Sequence, residues 1–238
     1  MNMSVLITSI KLAITCAIML ATCLLAQDRG GTPPGDGRIL LGGVFSKAHA
    51  SGSLEYRGVC NFRRFYPDFP KIRAVPNHEG SPVELLREMF SVDPEMRVSQ
   101  DADGTIRMIE EDVPSDLLDL KIHQLTWLAG FHGPNMAITA IMKTPEVIAF
   151  RKDHNLGPAA EWTTSFSWTG DALASGKPSL TGSLHDVTVR QALDYLLQTF
   201  HGFWLYENCN NPEGGRLMHV EFLEDAPLRS SSATPEER

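Results

Sequence analysis

Thr188-Val-Arg-Gln191 constrains this chain more than any other short segment. A threonine three residues before a glutamine forms a capping box: the hydroxyl accepts a first-turn N–H while the amide reaches back to the threonine N–H. Val189, Ala192, Leu193, Leu196, Leu197 and Phe200 then recur at helical spacing on one face, and Gly202 supplies the left-handed stop. Before the helix, 178–185 reads as a strand. After it come a strand over 203–208, a turn at 210–215 and a second strand over 216–222. The result is a β-α-β-β unit spanning about 178–223.

A second unit lies earlier, over about 72–110. Ser81-Pro-Val-Glu84 is another capping box, with Pro82 at the first helical position, where its missing N–H costs nothing. Leu85, Leu86, Met89 and Phe90 continue the helix. Residues 96–100 and 105–110 then form a hairpin turning on Asp103-Gly104. At an offset of 107, Ser81 falls on Thr188, Glu84 on Gln191, Leu86 on Leu193 and Met89 on Leu196. The expected fold is α+β, with two diverged β-α-β-β-like units and a mixed middle section, after a cleaved signal peptide. In the middle, 114–118 reads as a short helix, 119–127 as a strand, and 144–154 as a capped helix. Trp162, Phe166 and Trp168 give one aromatic face to another strand.

The stretch Ser179-Leu-Thr-Gly-Ser-Leu-His-Asp-Val-Thr-Val-Arg-Gln-Ala-Leu-Asp-Tyr-Leu-Leu-Gln-Thr-Phe-His-Gly-Phe-Trp-Leu-Tyr206 resembles the short N-terminal modules of secretins and TonB-dependent receptors. The resemblance rests on Ala192-Leu193, Leu196-Leu197 and Gly202. It implies a small periplasmic domain that contacts other envelope proteins. This chain departs from the pattern in separating its two units by a long middle section.

The ends suit an exported chain. Lys11 is the one charge between Met1 and Ala26, ahead of the apolar run from Leu12 to Leu25. That run has the length of a signal-peptide core and is short for a membrane span. Cleavage is expected after Ala26, making 1–26 the signal peptide. Two alternatives stay open: an uncleaved anchor, and lipidation at Cys23 in Leu20-Ala-Thr-Cys23. These are the two routes to membrane contact. Residues 27–38 read as a Gly/Pro tether, 39–224 as the α+β region and 225–238 as a polar tail. Localisation is then periplasmic or extracellular.

Removing 26 residues leaves 238 − 26 = 212, and the loss of Lys11 takes the net charge from −8 to −9. An acidic chain of this kind is poorly matched to nucleic acid, which rewards clustered cations. Cys60 and Cys209 are the cysteines left after cleavage, and an oxidising compartment favours their pairing over two free thiols.

Chemistry-bearing motifs are scarce. Ser99 to Glu110 fits an EF-hand loop at Asp101, Asp103, Gly104, Ile106 and Glu110. It lacks the leading carboxylate, so the plain hairpin is preferred. The histidines show no His-Glu-x-x-His, and there is no nucleophile elbow or phosphate loop. No metal or cofactor is expected. Glu110, Glu111, Asp112, Asp116 and Asp119 crowd together as a solvated edge, or as paired carboxylates if the protein were a hydrolase of glycan or peptide. The leading expectation is a non-enzymatic module that binds another envelope protein along 203–208 and 216–222, with Trp204, Tyr206 and His219 as contacts. Protein recovered from the envelope fraction is therefore expected to begin at Gln27 by intact mass; a full-length cytoplasmic product would contradict this.

Overall fold

The computed structural model describes residues 36–59, 69–131, 133–156, 180–210 and 216–224. The elements are α1 (Asp36–Ala48), β1 (Ser51–Val59), α2 (Pro82–Met89), β2 (Met96–Gln100), β3 (Ile106–Glu110), β4 (Lys121–Phe131), α3 (Pro134–Met142), α4 (Pro145–Asp153), β5 (Leu180–Thr188), α5 (Val189–Leu196), β6 (Gly202–Asn210) and β7 (Arg216–Glu224). The fold is α+β.

Both capping boxes form. Glu84 N donates to Ser81 Oγ at 3.4 Å, and Ser81 N donates to Glu84 Oε2 at 3.0 Å. Gln191 N donates to Thr188 Oγ1 at 3.1 Å, and Thr188 N returns to Gln191 Oε1 at 2.8 Å. Each box satisfies donors that the first helical turn leaves without an intrahelical acceptor.

A five-stranded sheet runs β2-β3-β1-β6-β7, and β4 pairs with β5 in a separate two-stranded ribbon. β1 is the centre. It runs parallel to β3 on one side and to β6 on the other, while β2/β3 and β6/β7 are antiparallel hairpins. Side chains alternate across the sheet, so the two faces carry separate cores. One packs Leu54, Tyr56, Met108, Phe203 and Leu205 under Leu41 and Phe45 of α1 and Leu86 and Met89 of α2. The other packs Trp204, Tyr206, Val220 and Phe222 against Leu193 and Leu196 of α5, Ile138 and Ile141 of α3, and Ile122, Leu125 and Trp127 of β4. The helices of the two expected units thus lie on opposite faces, and their hairpins run in opposite senses.

Three elements escaped the sequence reading: α1, β1 and α3. The first three residues of α1 lie inside the expected tether, and Arg38 among them pairs with the half-buried Glu221 of β7. β1 looks like a loop, with Gly52, Gly58, Ser53 and Glu55 among its residues. Gly52 is a steric requirement, since a Cβ there would come within 2.3 Å of the Ile106 carbonyl oxygen, and a Cβ on Gly58 would displace the Glu207 carboxylate, whose Oε1 would lie 2.0 Å away. Ser53 and Glu55 are buried because arginines reach them from β3 and α5.

Residues 114–118 make a turn and no helix. The carbonyls that would continue it are committed elsewhere, since Leu118 O and Leu120 O accept the N–H groups of Arg190 and Val189 at 2.9 and 3.0 Å. The strand expected over 119–127 starts at Lys121 and extends to Phe131. At 101–105 the hairpin turn closes through Asp101 N to Thr105 O at 2.9 Å, and Asp103 Oδ1 accepts Thr105 N at 2.9 Å. The strand expected around Trp162 to Trp168 lies outside the described residues, as do the leader and the tail.

The register bears on the cysteines. Cys209 is fully buried, and Gly58 and Val59 of β1 sit opposite Cys209 and Asn210. Cys60 follows Val59 directly in the sequence and lies outside the described residues. We expect a non-reducing peptide map to join the two, and reduction to destabilise the fold by up to ~5 kcal/mol in the chain-entropy model. Alkylation of both thiols in unreduced protein would rule the bond out.

Candidate functional site

The three expected contact residues do not form one surface. β6 has a strand on each side, so it offers no free edge. Trp204 is fully buried, and its Nε1 donates to Asp194 Oδ1 at 2.9 Å. Asp194 also receives Arg107 through two bonds of 2.6 and 3.0 Å, so one carboxylate joins α5, β3 and β6. Tyr206 is fully buried too. Its hydroxyl donates to Pro114 O at 3.0 Å and lies 2.8 Å from Asn208 Nδ2, and burial pushes it up to about 12. Both rings are spent on packing, which corrects their expected role as partner contacts. His219 points to the opposite face, with Nε2 2.7 Å from Glu221 Oε2.

That face carries a polar cluster under α1. Arg38 pairs with Glu221, which His219 also contacts. Burial alone would raise the Glu221 carboxyl. The His219 hydrogen bond and the Arg38 charge outweigh it and hold the group at about 2. Tyr56, fully buried on β1, is driven well above its usual value by burial and then by the nearby Glu207 charge, so it stays a neutral phenol. The Phe69 ring lies 5.9 Å from Arg38 and 5.9 Å from Tyr56. This group anchors α1 to the sheet.

Four of the five carboxylates in the acidic run are likewise committed. Glu110 meets Arg57 at 3.1 Å, Glu111 meets Arg97 at 2.9 Å, Asp116 meets Arg216 at 2.7 Å and Asp119 approaches Arg190 at 3.8 Å. Among the described residues, no group of three or more His, Cys, Asp or Glu could hold a metal ion. No helix among them is long and apolar enough to cross a membrane.

What distinguishes one region is the treatment of strand edges. An outer strand presents backbone N–H and C=O groups that can pair with another chain, and folded proteins block such rows. On β2, Arg87 Nε donates to Val98 O at 3.0 Å. On β7, Asn135 acts as a one-residue strand: its Nδ2 donates to Phe222 O at 3.0 Å, and its Oδ1 accepts Phe222 N at 2.8 Å. On β4, Glu146 Oε1 accepts His123 N at 3.1 Å. Across 180–187 of β5, no side chain among the described residues caps the backbone. The bonds that Thr126 and His123 make to Ser183 and Asp186 run between side chains.

The orientation of that open edge follows from register. Val189 N donates to Leu120 O, and the pairs Ile122↔Val187, Gln124↔His185 and Thr126↔Ser183 continue the same alignment. Antiparallel pairs alternate between facing and turning away. Val187, His185 and Ser183 therefore bond towards β4, while Leu184 and Gly182 turn their backbone groups outward. Thr181, Gly182, Ser183, His185 and Asp186 are exposed, and Leu184 is half-buried.

No sequence-family model matches the chain, no curated protein matches it, and no solved structure matches it.

The sequence reading missed Arg87, Asn135 and Glu146, because a side chain that blocks an edge has no local signature. It also missed Gly182, although Thr181-Gly-Ser183 inside a strand pattern is a signal of close approach or a bulge.

The Arg38–Glu221–His219 group gives a pH test. A carboxylate held at about 2 against an ordinary 4.5 stabilises the fold above pH ~4.5, and that contribution is lost as pH falls towards ~2. The whole effect is at most roughly 3 kcal/mol, since each pKa unit corresponds to ~1.4 kcal/mol. Thermal melts between pH 6 and 2 should show a shallower acid slope for Glu221→Gln than for the parent. Equal slopes would contradict the assignment.

Proposed function

We propose that the chain is an exported, envelope-associated recognition module without catalytic activity of its own, which takes an extended segment of another envelope protein onto the outer edge of β5. The observation that carries this reading is the uneven blocking of edges among the described residues: side chains cap β2, β7 and β4, and none caps β5. Adding a strand to an exposed edge supplies affinity through main-chain hydrogen bonds and selectivity through alternate side chains. Exposed apolar side chains also lie on β4 and on the helices beside it. Leu128 on β4 is 70% exposed, Ile148 on α4 53% and Met136 on α3 50%.

Export rests on the leader-like N-terminus and on the resemblance of 179–206 to secretin and TonB-receptor modules. Two diverged copies of one unit fit the same reading. A half-turn about an axis across the strands would exchange hairpin senses and helix faces together, which is the relation between α2-β2-β3 and α5-β6-β7.

Two substitutions at one position test the edge. Leu184→Pro removes an outward N–H and leaves the β4 ladder intact, whereas Leu184→Ala removes side-chain volume alone. In affinity capture from envelope extract, the partner should be retained by the parent, retained more weakly by Leu184→Ala and lost by Leu184→Pro, with both variants still melting cooperatively. Equal retention by all three would exclude the β5 edge. Glycan or peptide turnover by purified protein, abolished by one carboxylate change, would overturn the non-enzymatic reading.

A further inference from the structure

Gly182 sits at φ +136°, a conformation that strains any side chain, and it lies directly opposite Trp127 on β4. Trp127 itself is buried in the core. Tyr195 of α5 stacks on the indole, with ring centroids 5.7 Å apart and planes 7° from parallel. A Cβ built on Gly182 would lie 3.8 Å from the Tyr195 hydroxyl oxygen, so the glycine opens a gap beside the tyrosine. Tyr195 is half-buried, as is Leu184, which pairs with Leu125 and shares the core-facing side of β5 with Gly182. Thr181, Ser183 and His185 occupy the other side, and all three are exposed.

We propose that this notch reads the partner, an inference that rests on the β5-edge reading above and deepens it. A strand added to β5 pairs with the outward backbone of Gly182 and Leu184. Its residue opposite Gly182 then points to the core side and packs an aromatic or long apolar side chain on Tyr195. The residue two positions away falls opposite Leu184 and is apolar as well, and those between face solvent and are polar. Cross-strand cover of a glycine by an aromatic ring is an established device for edge positions. Here the partner's residue opposite Gly182 supplies it. Charge narrows the occupant further. The chain carries −8, and the one formal charge within β5 is Asp186, 78% exposed. The matching segment is neutral to basic.

The probe is a labelled peptide, Lys-Thr-Phe-Thr-Val-Thr-Lys, with its Phe→Ala and Lys→Glu versions, titrated against the full chain by fluorescence anisotropy. The phenylalanine peptide should bind about tenfold more tightly than the alanine one, equivalent to ~1.4 kcal/mol. The lysine-flanked peptide should bind more tightly than the glutamate-flanked one. Tyr195→Ala should reduce the Phe/Ala ratio to about one, and Tyr195→Phe, which restores the ring, should bring the preference for phenylalanine back. Leu184→Pro should abolish binding of every peptide. Peptide binding that Leu184→Pro removes, but that ignores both Phe→Ala and Tyr195→Ala, overturns the notch while leaving the edge reading intact. No Leu184-sensitive binding of any peptide, together with a partner captured equally by Leu184→Pro, removes both. A dimer seen by light scattering and dissociated by Leu184→Pro assigns the edge to a second copy of this chain and overturns the proposal.

Discussion

The fold turns on Glu55, a carboxylate 1% exposed at the middle of the central strand. Burial pushes its pKa up, and the Arg190 guanidinium opposes that shift. An unpaired carboxylate there would cost several kcal/mol, so β1 takes its central place with α5 delivering Arg190 to it. α5 in turn is held by Asp194, which receives Arg107 from β3 and Trp204 from β6. One short helix therefore reads three neighbouring strands through charged contacts. Placing α5 also places β5, because Thr188 ends the strand and caps the helix.

This arrangement explains why the ribbon stands apart from the larger sheet. β5 reaches α5 without an intervening loop, and Leu118 O and Leu120 O, just ahead of β4, accept the first N–H groups of that helix. The ribbon is fixed at this end. Further along β5 the backbone departs from regular geometry, with Asp186 at φ +53° and Gly182 at φ +136°. The two outer strands of the larger sheet receive side-chain blocks from Arg87 and Asn135, and β4 receives Glu146. Among the described residues, no side chain blocks the edge of β5.

The sequence made the helices at 82–89 and 189–196 and their following hairpins legible, because capping boxes and periodic apolar residues are local signals. β1 was not legible for the opposite reason. Its glycines answer to Ile106 and Glu207, and its Ser53 and Glu55 answer to Arg107 and Arg190, all distant in sequence. The same holds for the candidate site. Trp204 and Tyr206 looked like contact residues because aromatic side chains on an expected edge strand bind partners well. β1 pairs along the whole of β6 and turns that edge into an interior strand. Only the finished sheet order shows which edges remain outermost, and only the side chains arriving from α2, α3 and α4 show which of those are blocked.

Residue-resolved amide exchange on the free protein tests this account most directly, since it needs no partner. The Leu184 N–H should exchange quickly, while the His185 N–H, bonded towards β4, and the Phe222 N–H, capped by Asn135, exchange far more slowly. Protection of Leu184 equal to that of Phe222 in the monomer would mean that the β5 edge is already occupied, and the account would fail.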